Sequence, residues 1–153
     1  MPLRRLALYA FIITLLWLGF VCAISFLEAP IKFRAPGVTK AQALSIGRLV
    51  FHALNRVEWI CAAFSWLIVL RLRIVRTRGS LVLLASITAI LAFQTWGLFP
   101  TLDARALDFM QGNEPPATWH HQTYIITEVI KAALLGVLSS LQIQSFARAV
   151  ISE

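Results

Sequence analysis

Charged side chains are scarce in this sequence. Only 14% of its 153 residues are Asp, Glu, Lys or Arg, whereas 59% are hydrophobic. A soluble domain carries about a quarter charged residues, so the composition excludes an ordinary soluble protein and favours a membrane protein. Acidic residues are rarer than basic ones, 7 against 14, so the formal net charge is +7. The basic residues flank apolar segments, as membrane topology requires, so nucleic acid is not an expected partner.

Cysteine is nearly absent as well. Cys22 and Cys61 are the only two, both lie in apolar segments, and no CxxC pair or zinc-ligand spacing occurs. We interpret both as small apolar packing residues. The sequence also has no Ser-His-Asp grouping, Gly-rich phosphate loop or haem-attachment motif. No cofactor is therefore expected, and an enzyme is the less favoured class of function.

The sequence does contain four long apolar runs. They cover about Leu6–Leu27, Leu49–Leu70, Leu81–Phe99 and Thr123–Ile143, and each is long enough to cross about 30 Å of hydrocarbon as a helix. Only helices and closed barrels satisfy the backbone in lipid, and these runs lack strand alternation. We therefore expect residues 1–153 to form one domain, an all-α four-helix transmembrane bundle. The first run is too long for the core of a secretion signal, so we expect it to remain as a span.

The placement of arginine predicts the orientation of the bundle. The loop "RLRIVRTRG" (71–79) holds four arginines and no acid, and Arg4 and Arg5 precede the first run. By the positive-inside rule, both segments and both termini are expected in the cytoplasm. The predicted location is the bacterial cytoplasmic (inner) membrane, as a multi-pass protein whose first partner is the lipid bilayer.

Local signals predict where the helices end. Thr39 and Gln42 form a capping-box pattern, so the second helix is expected to begin near Lys40. The spacing in "TLDARALDFM" predicts that the third helix continues past a kink at Pro100, and Thr118 is the expected N-cap of the fourth. The prolines of "FLEAPIKFRAPG" bias the residues before them away from helix, so we expect an ordered connector there that is not regular helix throughout.

Polar side chains interrupt the second and fourth runs, at "FHALNRVEW" and "TYIITEVIK". At 1.5 Å per residue, the charged residues of the two runs lie at about the same depth. A lone charge inside a membrane is costly. We therefore expect two acids and two bases to neutralise one another across helices, with Lys131 the best partner for at least one glutamate. The candidate ligand-binding residues are His52, Asn55, Arg56, Glu58, Tyr124, Glu128 and Lys131.

These side chains leave two interpretations open. In one, they line a polar cavity in the outer half of the bundle that binds or transports a small polar or ionic ligand, because intramembrane ionisable groups are usually functional. In the other, the protein is a structural or accessory subunit whose polar cluster only fixes helix register. Glu28, His120 and His121 are possible additional ligand-binding residues. A metal ion is the further alternative, for which the suitable ligand types are His52, His120, His121, Glu58 and Glu128. No tight ligand spacing occurs, so a metal site stays open.

Small residues recur every four positions in the fourth run, at Ala132, Gly136 and Ser140. Such patterns let helices approach closely. We expect this approach within the chain, with a homo-oligomer or another membrane partner as the alternative.

The order of these elements resembles a known membrane family. The similar pieces are "FLEAPIKFRAPG", "GRLVF", "WGLFPTLDARALDF" and "HHQTYIITE", and the family is the uncharacterised four-helix group that includes eukaryotic transmembrane protein 205. The resemblance implies the fold and no biochemical activity. The family has a histidine near the start of its fourth helix, which His121 matches best, whereas Glu128 and Lys131 depart from its pattern.

A second, partial resemblance indicates an enzyme as a further alternative. Asn55 and Glu58 in "ALNRVEW" match a spacing in the second helix of the membrane-associated eicosanoid and glutathione metabolism family. That family has an arginine where this sequence has Phe51, and its arginine-rich third-helix pattern is missing here. The resemblance implies a glutathione-dependent membrane enzyme as a third function, without the arginines on which glutathione binding depends.

Overall fold

Four long helices make up the protein. The computed structural model describes residues 2–72, 75–113 and 115–151, and these contain helices and turns but no strand. The helices that are long and apolar enough to cross a membrane are Arg5–Arg34, Lys40–Arg71, Arg78–Met110 and His120–Arg148, called here the first to fourth spans. The all-helical fold with four apolar helices, typical of a multi-pass membrane protein, is thus confirmed. The side of the membrane that the termini face stays a prediction.

The bundle has two distinct ends. Ser25, late in the first span, contacts Glu128, early in the fourth, so these two spans run antiparallel. Residues 2–5, 72, 75–77 and 148–151 therefore lie at one end, called the terminal end. Residues 32–39, 111–113 and 115–119 lie at the other, called the cavity end.

Apolar side chains from all four spans fill the interior. Ala7, Val69, Leu84 and Leu135 come from successive spans, are fully buried and belong to one core cluster. Residues on the outward faces, such as Leu16, are apolar yet exposed. Helices that are apolar on every side are typical of membrane spans, in which lipid takes the place of water around the outer surface.

Two of the spans widen into π-helix shortly before a proline. In the first span the α-helix Pro2–Val21 gives way to a π-helix at Cys22–Glu28, followed by Pro30. In the third span the π-helix Phe93–Leu98 is followed by Pro100. Each π-helical segment supplies one polar side chain that donates to Glu128: Ser25 from the first and Gln94 from the second.

The π-helical hydrogen bonds explain how helix continues through these prolines. The Ala29 N–H bonds five residues back to the Ile24 carbonyl, and the Phe99 N–H bonds to the Gln94 carbonyl in the same way. A proline ring crowds the carbonyl four residues before it. A wider turn moves that carbonyl aside, so the chain passes each proline without leaving the helix.

The first span is longer than the sequence predicted. After the π-helical segment the chain remains helical through Ala29–Ile31 and through a 3-10 turn at Lys32–Arg34, where a connector was expected. The bias of Pro30 against helix is thus overcome by the widened turn. The chain then reverses at Gly37, whose φ of 78° is a conformation that glycine adopts without steric cost.

The predicted ends of the second and third spans are confirmed. The second begins at Lys40, and the Thr39 hydroxyl accepts from the Gln42 N–H while the Gln42 side chain accepts from the Thr39 N–H. The third continues past Pro100 as the helix Phe99–Met110.

The predicted cap of the fourth span is wrong. This helix, His120–Ile151, begins two residues after Thr118, whose Oγ1 makes no hydrogen bond to any described residue. The Thr123 N–H bonds instead to the carbonyl of Trp119. The first turn thus starts one residue later than the capping pattern indicated.

Candidate functional site

An ionic cluster lies buried among the spans. It consists of Glu58 from the second span and Glu128 and Lys131 from the fourth, each no more than 2% exposed. Lys131 Nζ lies 2.6 Å from Glu58 Oε1 and 2.7 Å from Glu128 Oε1. It also donates to Gln94 Oε1 at 2.7 Å, so each of the three ammonium protons has an acceptor.

Neutral side chains complete the bonding of the two carboxylates. Trp17 Nε1 donates to Glu58 at 2.9 Å, and Ser25 Oγ donates to Glu128 Oε2 at 2.8 Å. Gln94 Nε2 donates to Glu128 Oε1 at 3.0 Å. All four spans therefore contribute to the cluster. A buried charge is tolerated only when it is paired and hydrogen-bonded, and this set of partners explains why membrane helices accept these residues.

The expected balance of two acids and two bases is wrong. Two carboxylates face one ammonium group, so the fully ionised cluster carries a formal charge of −1. Arg56 is exposed. It lies two positions from Glu58, which is about 200° around a helix, so it turns outward when Glu58 points inward.

The predicted pairing of the glutamates holds for one of them. Glu58 pairs with Lys131, a base on another span, as expected. Glu128 pairs with the same lysine, which lies three residues further along its own helix. The fourth span therefore supplies both a base and an acid to the cluster, and the second span supplies the other acid.

A cavity of about 530 Å³ lies between the ionic cluster and the cavity end. All four spans line it, and Ser25 and Glu128 are its lining residues nearest the cluster. Its walls are largely apolar, with Phe26, Leu44 and Leu102 among them. Small-molecule sites have volumes of about 300–1,000 Å³, apolar walls and a few placed polar groups, and this cavity has all three features.

Aromatic rings stiffen one wall of the cavity. Tyr124 is buried, and its ring centre lies 5.4 Å from that of Phe51, edge-on, and 5.7 Å from that of Phe99, stacked. Such pairs prefer these geometries and contribute beyond the area they bury. The rings join the second, third and fourth spans, so the shape of the wall depends on all three.

Charged side chains stand at the rim of the cavity. Asp103 Oδ1 accepts from Arg48 Nε at 3.2 Å, and Asp103 Oδ2 lies 2.6 Å from His52 Nε2. His52 also packs its ring against Phe99, with centres 5.4 Å apart. The third span thus holds two basic side chains of the second span in place at the cavity end.

Lys32 closes part of the opposite side of the rim. Its Nζ pairs with Glu28 at 3.1 Å and lies 4.9 Å from the centre of the Phe51 ring, within range of a cation–π contact. A Cβ added at Gly47 would come within 2.6 Å of this Nζ. The glycine therefore makes room for the lysine side chain beside the second span.

Seven of the ten predicted site residues lie in the cavity lining, the ionic cluster or the rim. His52, His121, Tyr124 and Glu128 line the cavity. Glu58, Glu128 and Lys131 form the ionic cluster. Glu128 therefore belongs both to this cluster and to the cavity lining. Glu28 reaches the rim through its pair with Lys32.

The three other predicted residues lie outside the cavity lining, its rim and the ionic cluster. Asn55 is buried and donates to Thr95 Oγ1 at 2.8 Å. His120 stacks on Trp119 with ring centres 4.3 Å apart, and Arg56 is exposed. Across residues 2–72, 75–113 and 115–151, no three His, Cys, Asp or Glu side chains come together as they could to hold a metal ion.

The hydrogen-bond partners that the two π-helical segments supply were not predicted from the sequence. Ser25 lies in the first of them, and Gln94 and Thr95 lie in the second. A signal was present for the second, because a glutamine in hydrocarbon needs partners much as a charge does. Ser25 gave no such signal, since its direction depends on the change from α- to π-helix.

Comparisons with known proteins found no match for this chain. No family model matches the chain, and no curated protein and no solved structure matches it. The function of the cavity and the ionic cluster therefore has to be argued from their own geometry.

Proposed function

We propose that this protein binds a small ligand in the cavity and that the ionic cluster forms the closed floor beneath the ligand. The observation that carries this proposal is the cavity of about 530 Å³, which all four spans line. Its charged groups are confined to the floor and the rim, and its walls are apolar. This is the arrangement of a site that positions a ligand by a few polar contacts and holds it by apolar packing.

The ligand enters from the outer face of a bacterial cytoplasmic membrane in this proposal. Arg71, Arg76 and Arg78 lie at the terminal end, and the positive-inside rule favours the cytoplasm for that end. The cavity end then faces outward. The likeness to the four-helix family that includes transmembrane protein 205 supports the fold in this proposal and adds no activity.

The lining predicts a ligand with an apolar body and a polar or cationic group. The body packs against Phe51, Phe99 and Leu102. The polar group reaches Glu128 Oε2, which accepts from Ser25 and has a further lone pair for a donor in the cavity. A short-chain amphiphile with an amine or another hydrogen-bond donor at one end satisfies both requirements.

A binding screen on the purified protein tests this proposal. The probes are medium-chain alkylamines, together with alcohols and carboxylates of the same chain length, and the readouts are thermal stability and calorimetric affinity. We expect the amines to bind most tightly. The Glu128→Gln variant should lose the preference for amines over alcohols, because the carboxylate charge has gone.

A matched pair of variants locates the binding site. Ala106 lines the cavity, whereas Ala104, on the same helix, is exposed and is not part of the lining. We expect Ala106→Leu to weaken binding at least about tenfold, equivalent to about 1.4 kcal/mol, and Ala104→Leu to leave it unchanged. Equal affinities for the two variants, or no binding by the wild type, would overturn the proposal.

A second candidate function is structural. Glu58 and Lys131 are buried and fully paired, which favours a contact that fixes helix register in a structural or accessory subunit. In that case the wild type binds none of the probes, and Glu128→Gln changes only thermal stability. The same screen therefore separates the two functions.

A further inference from the structure

Buried polar atoms without partners lie in the terminal half of the bundle. They belong to Thr14, Ser65 and Gln142, each no more than 1% exposed. Thr14 Oγ1, Ser65 Oγ and both amide atoms of the Gln142 side chain have no hydrogen-bond partner among the described residues. Buried polar groups nearly always bond to protein or to ordered water. A water molecule beside each of these four atoms would supply the missing partner.

Helix geometry places these side chains on the same faces as the ionic cluster. Ser65 is seven residues from Glu58, and Gln142 is eleven from Lys131. At about 100° per residue, each lies within about 20° of the cluster residue on its own helix. Thr14 lies on the inward face of the first span, one turn from the tryptophan that donates to the cluster.

The unpartnered side chains lie at successive depths between the ionic cluster and the terminal end, as a file of water molecules would require. At 1.5 Å per residue, Thr14 lies about 4.5 Å from the level of the cluster, Ser65 about 10.5 Å and Gln142 about 16.5 Å, all toward the terminal end. The axial steps are therefore about 4.5 to 6 Å. These side chains also stand on three different spans, and packed helix axes lie about 8–10 Å apart. Two hydrogen bonds through one water molecule span about 5.6 Å, so each step needs a chain of more than one water.

We propose that the ionic cluster exchanges a proton with both ends of the bundle. Glu128 is reached from the cavity, which it lines. Glu58 is reached from the terminal end, through water bound at Thr14, Ser65 and Gln142. The charge of the cluster suits this role, because two carboxylates and one ammonium group take up one proton to become neutral.

The transfer uses the two contacts that Lys131 makes with the carboxylates. A proton from the cavity makes an O–H bond with Glu128 Oε2, and rotation of the carboxyl group brings this O–H to Lys131. Lys131 breaks one N–H bond to give a proton to Glu58 Oε1, 2.6 Å away, and takes the proton of Glu128 in its place, 2.7 Å away. Glu58 then releases its proton to the water at Thr14. The lysine ends as it began, one proton has crossed the cluster, and the reverse order carries a proton the other way.

Proton flux into liposomes tests this proposal without any ligand. The full chain is reconstituted with a pH-sensitive dye inside, and a potassium diffusion potential set with valinomycin drives protons inward. We expect the wild type to acidify the interior faster than protein-free liposomes do. Glu128→Gln should slow this flux by about a hundredfold, a typical size for the loss of a proton-transfer group.

A matched pair of glutamine variants tests the water file. Gln142→Leu removes a buried, unpartnered amide, whereas Gln144→Leu changes an exposed one on the same helix. We expect severalfold slower flux for the first and unchanged flux for the second, with melting temperatures showing that both fold. Equal flux for the pair, or wild-type flux equal to that of Glu128→Gln, overturns the proposal. Either result leaves ligand binding in the cavity untouched, because the assay contains no ligand.

Discussion

The ionic cluster and the rim of the cavity use the same kinds of residue in opposite surroundings. Lys131 and Glu58 are 0% and 2% exposed, whereas Arg48 and Asp103 at the rim are 36% and 25% exposed. Breaking a buried pair leaves an uncompensated charge and costs about 3–5 kcal/mol, whereas an exposed pair contributes about 0–1 kcal/mol. Burial, more than the presence of charge, therefore separates the ion pairs that hold the spans together from those that can rearrange at little cost in free energy.

Removing the lysine of the cluster should have the largest effect. Lys131→Met leaves two buried carboxylates without their shared base, so we expect it to lower the free energy of unfolding by about 3–5 kcal/mol. Equilibrium unfolding in mixed micelles measures this change. Adding Glu58→Gln and Glu128→Gln to the same chain should recover most of the loss, because the unpaired charges are then gone.

Arg56→Met is the control for this prediction. It removes a base two residues from Glu58, but from an exposed position, so the free energy of unfolding should change by less than about 1 kcal/mol. If both substitutions had the same effect, the distinction between the cluster and the exposed charges would fail.

Two tryptophans donate hydrogen bonds to acceptors that differ in charge. Trp17 Nε1 donates to the Glu58 carboxylate, and Trp66 Nε1 donates to the Thr88 hydroxyl at 3.0 Å. Replacing either by phenylalanine removes the same N–H. Hydrogen bonds to charged groups contribute about 1.5–3 kcal/mol and neutral ones about 0.5–1.5 kcal/mol, so Trp17→Phe should be the more destabilising in chemical unfolding. The reverse order would show that the carboxylate of Glu58 is not charged in the folded protein.

At the rim a substitution should cost little. Asp103→Asn removes the charge that faces Arg48 and His52, and these side chains are partly exposed, so we expect a loss of about 0–1 kcal/mol. Thermal unfolding checks this value. A loss as large as that of Lys131→Met would mean that the rim is as tightly closed as the cluster.

The smallest effect on stability is expected at Gly47. In a helix, Gly→Ala stabilises by about 0.5–1 kcal/mol, and Gly136, with nothing within 4 Å of an added Cβ, should show this gain. At Gly47 the new methyl group displaces Lys32 Nζ, so Gly47→Ala should gain less and should change the affinity of the alkylamine probes. Unfolding and alkylamine binding should be measured for both variants, because only Gly47→Ala should alter both the free energy of unfolding and the affinity.

The fold and part of the cluster could be predicted from the sequence. Four apolar runs predicted four spans, and the equal depths of Glu58 and Lys131 predicted their pairing. The depth of a side chain along a helix can be predicted by counting residues. The direction in which it points can be predicted only while the helix stays regular. Ser25 and Lys32 lie within or beyond a π-helical segment, so their contacts could not be predicted from α-helical spacing. The cavity depends on those contacts. The sequence predicted a polar cavity lined by the second and fourth spans, whereas its walls are largely apolar and come from all four spans.

The two π-helical segments also change how the sequence is to be aligned. A π-helical turn holds one residue more than an α-helical turn, so each segment acts as a one-residue insertion that turns the following chain by about 100°. Lys32 follows the first segment and Asp103 follows the second. Deleting one residue from either segment would restore a continuous α-helix and rotate that side chain away from the rim. In relatives of this chain, a one-residue gap at 22–28 or 93–98 is therefore to be interpreted as a differently shaped cavity and not as a lost helix.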